Sequence, residues 1–184
     1  MKNIRINEVK NFLDETIKIN GWVYNSRRSG KIGFLTLRDG FGLIQCIVAK
    51  NDVGEELFEN FKRVTQETSI SVVGKVVKNE RASGGYELLL ESFIINHLSQ
   101  DYPITPKEHG TEFLMSNRHL WLRSKRQHAI LKIRHQIIKS IRDFFDNNDF
   151  TLVDTPIYTP NAAEGTSTLF KTEYFGKDAF LAQT

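Results

Sequence analysis

The sequence predicts an α+β protein whose N-terminal half is a small β-barrel. The first 98 residues contain five strand-like runs of alternating apolar and polar side chains, with one short helical pattern between the third and fourth runs. A long helical pattern appears only after residue 117. Three strands, a helix and two strands are the order of an OB-fold, a five-stranded barrel that binds oligonucleotides. We therefore expect an OB-fold over residues 1–98, a linker or hinge over 99–116 and a second domain over 117–184.

Turn residues bound the first three strands of the expected barrel. An apolar run at 17–24 leads into Ser-Gly-Lys at 29–31. The second strand covers 34–38 and closes with Asp39-Gly40, a dipeptide typical of tight hairpins. The third strand covers 43–48.

The remaining barrel elements follow from the same patterns. Apolar residues between Val53 and Val64 recur at the spacing of a short helix. Two further strands, at 69–77 and 86–95, are joined by a loop containing Ser-Gly-Gly. Residues 99–116 contain two prolines and a glycine and lack a sustained period, which indicates a linker.

The second domain is expected to begin with a long helix. Its apolar stripe has spacings of three and four and consists of Ile130, Ile133, Ile137, Ile141 and Phe144. The polar run at 146–149 ends this helix, and a strand is expected at 150–153. A polar loop at 161–168 and two short strands follow, and the second of these has no turn signal at its end, which indicates a truncated domain.

The composition excludes several classes of protein. The chain has 184 residues, 40% hydrophobic and 26% charged, with a net charge of +3, which argues against a disordered tail or a low-complexity polymer. Its apolar runs are too short to span a membrane, and its N-terminus is too charged for a signal peptide. The single cysteine, Cys46, excludes an internal disulfide, and the five histidines lack metal-ligand spacing. We expect a soluble, cytoplasmic protein without a metal site.

Charge is concentrated in two adjacent segments. Residues 117–142 carry eight basic side chains and no acidic one, whereas residues 143–184 carry seven acidic side chains and two lysines. This pattern is typical of a polyanion-binding surface beside a site built from carboxylates. The basic residues fit equally well as the solvated face of an amphipathic helix.

Candidate nucleic-acid contacts lie on one face of the expected barrel. If the two leucines of the second strand point inward, Phe34 faces outward, and the same alternation turns Gln45 outward on the third strand. Arg27 and Arg28 lie beside them at the end of the first strand. An exposed ring stacks on an unpaired base, an amide pairs with a base edge, and arginine neutralises phosphate. Phe34 alone would also fit a core position, but the four residues together favour nucleic-acid binding.

Several segments carry a family resemblance. Gly-Trp-Val at 21–23, the Arg27-Arg28 pair, Phe-Leu-Thr-Leu-Arg-Asp-Gly at 34–40 and Gln45 resemble the anticodon-binding domain of aspartyl-, asparaginyl- and lysyl-tRNA synthetases. Arg-His-Leu-Trp-Leu-Arg at 118–123 looks like the start of their class II catalytic domain. Residues 150–156 resemble its motif 1, and residues 159–170 are similar to the amino-acid-binding loop of the asparaginyl-tRNA synthetases.

This resemblance implies roles for the barrel residues. Phe34 matches the residue that stacks on the central uridine of the anticodon. Arg27 and Gln45 match polar contacts to the same anticodon, and Arg28 is expected to act with them.

The resemblance also implies roles in the second domain. Glu164 matches a carboxylate that binds the α-ammonium group of the substrate amino acid. Gln183 begins the strand that forms the floor of the amino-acid pocket. Pro156 matches the terminal proline of motif 1, which lies at the dimer interface in this family.

The activity implied by the resemblance is that of an asparagine–tRNA ligase. Such an enzyme joins asparagine to AMP from ATP, with Mg²⁺, and passes it to tRNA-Asn, acting as a homodimer. Segments resembling the arginine-bearing ATP motifs are not found in the sequence, so we expect this chain alone to bind the anticodon without catalysis and to hold no cofactor. Two alternatives stay open: a free-standing OB-fold RNA-binding module, and an aspartyl-tRNA synthetase of relaxed specificity.

Overall fold

The computed structural model describes residues 3–160 and 169–182. The chain divides into two compact units, residues 1–110 and 111–184. Each unit is described by itself below.

The first unit is a closed five-stranded barrel. Its strands are β1 (Thr16–Ser29), β2 (Ile32–Arg38), β3 (Leu43–Ala49), β4 (Ser69–Lys78) and β5 (Tyr86–His97), in the spatial order β1-β2-β3-β5-β4. Strands β1 and β4 pair and close the barrel, and β3 and β5 form a parallel pair while the other neighbours are antiparallel. The α+β class and the OB-fold predicted from the strand order are confirmed.

The barrel interior is filled by one side of each strand. Leu35 and Leu37 of β2 are fully buried, as are Cys46 and Val48 of β3. The intervening residues of both strands are only partly buried. The inward and outward faces of β2 and β3 are therefore those that the sequence alternation predicted.

The sequence predicted only some of the short helices of the first unit. A 3-10 helix spans Ile6–Phe12, where no helix was predicted. The single helix predicted between Val53 and Val64 is wrong in its bounds, because the chain forms α1 (Lys50–Val53) and α2 (Glu55–Phe61). Gly54 separates the two with φ +82°, a left-handed conformation that favours glycine and interrupts the helix.

The second unit contains α3 (Thr111–Ser116), α4 (Arg118–Trp121) and α5 (Lys125–Asp146). Helix α5 begins after Ser124, whose hydroxyl accepts a hydrogen bond from the Gln127 backbone N–H at 3.4 Å. It ends at the residue where the polar run begins. Helix α3 lies within the segment that the sequence analysis assigned to the linker.

Three short strands complete the second unit. They are β6 (Tyr158–Thr159), β7 (Lys171–Tyr174) and β8 (Lys177–Leu181), and β8 lies between the other two. The strand predicted over 150–153 does not form, and residues 151–156 have no regular secondary structure. An extended segment becomes a strand only when a neighbour takes its backbone hydrogen bonds, and none of the described residues pairs with this one.

No helix within residues 3–160 and 169–182 is long and apolar enough to cross a membrane. The apolar stripe of α5 is exposed to solvent. Ile133 is 62% exposed and Phe144 is 63% exposed. Helix α5 thus forms as predicted, and no other part of the described chain buries its apolar side.

Candidate nucleic-acid interface

The centre of the candidate site is a pair formed by Arg27 and Phe34. These residues lie directly opposite each other in the antiparallel pairing of β1 and β2. The guanidinium carbon of Arg27 lies 4.1 Å from the centroid of the Phe34 ring, within the range of a cation–π interaction. Phe34 is partly buried and faces away from the barrel interior. The pair therefore places a positive charge over the face of an aromatic ring on the outer surface.

Gln45 lies on the same outer face, one strand further. It is opposite Thr36, which is two residues from Phe34 along β2, so Gln45 and Phe34 are diagonal neighbours across two strands. Its side-chain Nε2 donates a hydrogen bond to Oε1 of Glu87 at 2.5 Å. Glu87 is opposite Gln45 in the parallel pairing of β3 and β5. The outer face thus carries a ring, a cation and an amide in adjacent positions.

Arg28 does not join this group. Consecutive residues of a strand point to opposite faces, and Arg28 is opposite Gly33, not Phe34. Gly33 is buried against Phe61 of α2, on the other side of the strand from Phe34. The expectation that both arginines lie beside Phe34 and Gln45 is therefore wrong for Arg28, although its exposed side chain stays available to a phosphate elsewhere.

The sequence analysis missed two apolar residues of this outer face. Phe34 is opposite Ile47 of β3, and Ile47 is opposite Leu89 of β5. Leu89 is 40% exposed. The row that begins with Arg27 and Phe34 therefore continues as an apolar surface across two more strands. The alternation that turned Phe34 and Gln45 outward would also have selected Ile47.

A second missed feature is the ion pair between Arg38 and Glu67. Two guanidinium nitrogens of Arg38 donate to the two carboxylate oxygens of Glu67 at 2.8 and 2.7 Å. The side chain of Glu67 is 3% exposed and that of Arg38 is 17% exposed. The pair joins the end of β2 to the segment that precedes β4. Since its charge is already paired with a buried carboxylate, Arg38 serves the fold more than an external anion.

Cys46, on the inner side of the same barrel wall, is chemically protected. Burial raises the pKa of its thiol well above the ordinary range, and the nearby Glu87 carboxylate raises the pKa further. A thiol of this kind stays protonated and does not act as a nucleophile. Cys46 is a core residue.

The remaining predicted site residues belong to the second unit. Glu164 and Gln183 lie outside the described residues. Pro156 is exposed on the single chain, in the segment without regular secondary structure. In the part of the chain that the structure describes, no three His, Cys, Asp or Glu side chains lie close enough together to hold a metal ion.

Two family models match this chain, one over the barrel and one over residues 110–184. Residues 17–95 match the OB-fold nucleic acid binding domain of the tRNA anticodon type. Residues 110–184 match the class II tRNA synthetases for aspartate, lysine and asparagine. Over residues 110–184 the chain is therefore similar to this class II synthetase family, and over residues 17–95 to an anticodon-binding domain. The resemblance seen in its short motifs is thereby confirmed.

Two individual synthetases are similar to this chain over almost its entire length. An asparagine–tRNA ligase from Sorangium cellulosum is 54% identical over 182 residues, which are 98% of this chain and 41% of that protein. The crystal structure of asparaginyl-tRNA synthetase from Pyrococcus horikoshii, complexed with asparaginyl-adenylate, has a TM-score of 0.92 and 36% identity. The match covers 100% of this chain and 43% of the Pyrococcus horikoshii chain. The chain thus spans about two fifths of the length of these synthetases.

The fold is shared beyond the asparaginyl members. An aspartyl-tRNA synthetase from Entamoeba histolytica superposes with a TM-score of 0.75 at 21% identity, covering 85% of this chain and 40% of its own. At that identity the likeness concerns the fold alone. Architecture does not separate asparaginyl from aspartyl synthetases.

Proposed function

We propose that this chain is the anticodon-reading part of an asparagine–tRNA ligase, together with a portion of its catalytic domain. The observation that carries the proposal is the outer barrel face on which Arg27 lies against the Phe34 ring, with Gln45 beside them. The similarity of the whole chain to asparagine–tRNA ligases supports the choice of amino acid.

Each side chain of this face has a distinct task in the proposal. The central uridine of the anticodon stacks on the side of the Phe34 ring that Arg27 leaves open, and a stack of this kind contributes about 1–3 kcal/mol. Arg27 stays over the opposite face of the ring, where its charge attracts a neighbouring phosphate. The Gln45 amide contacts the edge of the stacked base, which is the contact that distinguishes one base from another.

In the whole protein, we propose that asparagine is joined to AMP and then transferred to the terminal ribose of tRNA-Asn. ATP is a substrate of this reaction, and Mg²⁺ would offset the charge of its phosphates. The described residues hold no cluster suited to a metal ion, so Mg²⁺ is assigned to none of them. Glu164 would bind the α-ammonium group of asparagine, and Gln183 would form the floor of the amino-acid pocket.

The proposal extends to assembly and location. Pro156 would lie at the interface of a homodimer, which agrees with its exposure on the single chain. Asparagine–tRNA ligation serves protein synthesis, so we place the protein in the cytoplasm.

The direct test is a binding titration with tRNA-Asn at one fixed salt concentration. The comparison is a tRNA-Asn that differs only at the central uridine of its anticodon. We expect a loss of about 1 kcal/mol or more with the altered tRNA, the value of one stacked and hydrogen-bonded base. Equal binding with a steep salt dependence would contradict anticodon reading and favour an OB-fold module that binds RNA through phosphates alone.

A second titration separates asparagine from aspartate. The anticodons of tRNA-Asn and tRNA-Asp share their central uridine and differ in the third base. Tighter binding of the tRNA-Asn anticodon is expected from an asparagine–tRNA ligase. Equal binding of both would favour the aspartyl-tRNA synthetase of relaxed specificity, whose fold is the same.

A further inference from the structure

Gln45 and Glu87 form a polar contact on the outer face of the barrel. They meet where β3 and β5 run parallel, and Gln45 is directly opposite Glu87. The Nε2 atom of Gln45 donates to Oε1 of Glu87 at 2.5 Å. Glu87 is only 6% exposed, although the next residue that points outward on β5, Leu89, is 40% exposed. The carboxylate therefore lies beneath the surface that an RNA base would touch.

Burial gives this hydrogen bond a structural consequence. A buried carboxylate needs hydrogen-bond donors, because its transfer from water is strongly unfavourable when it stays unpaired. An ionised carboxylate accepts hydrogen bonds and cannot donate them. Rotation of the Gln45 amide by half a turn would set its oxygen against the oxygen of Glu87. The contact with Glu87 therefore fixes which end of the Gln45 amide faces outward.

We propose that Glu87 is a positioning residue that holds the Gln45 amide so that its oxygen is offered to the base stacked on Phe34. This inference rests on the function proposed above. Uracil carries a donor at N3, which the fixed Oε1 of Gln45 accepts. Cytosine carries an acceptor at the same position, and two acceptors facing each other repel. The pair of Gln45 and Glu87 thus selects uracil over cytosine at the central anticodon position.

The carboxylate acts through Gln45 rather than through its own charge on the RNA. Glu91 on the same strand provides the comparison, because it is an exposed carboxylate that accepts a hydrogen bond from the Thr16 hydroxyl at 2.8 Å. Removing either negative charge reduces repulsion of the RNA phosphates. Only the change at Glu87 frees the Gln45 amide to rotate.

The test compares Glu87→Gln with Glu91→Gln in the full chain. Each variant is titrated, at one salt concentration, with two RNA hairpins of the tRNA-Asn anticodon arm that carry U or C at the central position. We expect Glu87→Gln to lower the preference for U over C by at least about fivefold, the value of one hydrogen bond. Glu91→Gln should leave the preference unchanged. With Gln45→Ala already in place, Glu87→Gln should cause no further loss of preference, because the two residues act as one unit.

The outcomes separate this inference from the function on which it rests. If the unaltered chain binds both hairpins equally, the proposed function fails and this inference fails with it. If the unaltered chain prefers U and Glu87→Gln keeps the same preference, only the positioning role is overturned. Should Glu87→Gln fail to fold, ¹⁵N relaxation of the Gln45 side-chain amide in the unaltered protein decides the question. An amide as rigid as the backbone supports the proposal, and a freely rotating one overturns it.

Discussion

Arg27 and Phe34 are seven positions apart in the chain, yet the guanidinium carbon of the first lies 4.1 Å from the ring centroid of the second. The hairpin of β1 and β2 produces this contact by setting the two residues opposite each other. Arg28, the next residue along, is opposite Gly33 and belongs to the other side of the strand. Two adjacent arginines thus have different surroundings, which makes them a matched pair for experiment.

The first prediction concerns this pair of arginines. Arg27→Ala should weaken RNA binding and lower the slope of log K against log salt by about 1, as expected when one phosphate contact is lost. Arg28→Ala should have a smaller effect, because Arg28 lies away from Phe34. Titrations of both variants at several salt concentrations provide the check. A larger effect at Arg28 than at Arg27 would be inconsistent with the site as described.

The second prediction concerns the ion pair between Arg38 and Glu67. Arg38→Ala should lower the free energy of unfolding by about 3 kcal/mol, because it removes both guanidinium hydrogen bonds from the buried carboxylate of Glu67. The control is Lys78→Ala, which removes a solvent-exposed contact with Glu80 at 3.3 Å. Exposed pairs contribute little, so urea denaturation of this control should match that of the unaltered chain. Equal midpoints for all three proteins would show that the buried pair does not stabilise the barrel.

The third prediction concerns the packing of α2 on the barrel. A Cβ atom at Gly33 would collide with the ring of Phe61, whereas one at Gly40 would meet nothing within 4 Å. Gly33→Ala should therefore destabilise the chain by about 1–3 kcal/mol through overpacking. Gly40→Ala should have little effect on stability. Thermal unfolding of the two variants measures the difference, and similar melting temperatures would contradict close packing of Phe61 over β2.

The fourth prediction concerns Cys46. Its thiol has a raised pKa, first because it is buried and second because Glu87 is close, so the thiolate is not formed in the folded protein at neutral pH. A chromogenic disulfide reagent should leave the folded chain unmodified at pH 7, and raising the pH to 9 should not start the reaction. Addition of denaturant should release one reactive thiol per chain. Rapid modification under native conditions would place Cys46 outside the core.

The sequence predicts the barrel well because its main signals are local. The alternation at Leu35 and Leu37 defines the inward face of β2, and both residues are fully buried. The Asp39-Gly40 turn forms as expected, and the Asp39 carboxylate accepts hydrogen bonds from the backbone N–H groups of Phe41 and Gly42. These features depend on neighbouring residues and need no knowledge of the rest of the chain.

The errors arise where long-range pairing decides the outcome. The strand predicted at 150–153 has the right residue types, but no described segment pairs with it. Arg28 could be placed only once the register between β1 and β2 was known. Glu87 was overlooked because an acidic residue in a strand is usually exposed, whereas here it is 6% exposed and accepts a hydrogen bond from Gln45, its neighbour across the parallel pair of β3 and β5.

The central claim is that Phe34 stacks on the central base of the anticodon, and a thermodynamic cycle tests it most directly. Phe34→Ala and the unaltered chain are each titrated with an anticodon hairpin that carries either uridine or an abasic ribose at the central position. For the unaltered chain, removal of the base should cost about 1–3 kcal/mol, and for Phe34→Ala it should cost almost nothing. An equal cost for both proteins would show that the base is bound elsewhere and would contradict the account.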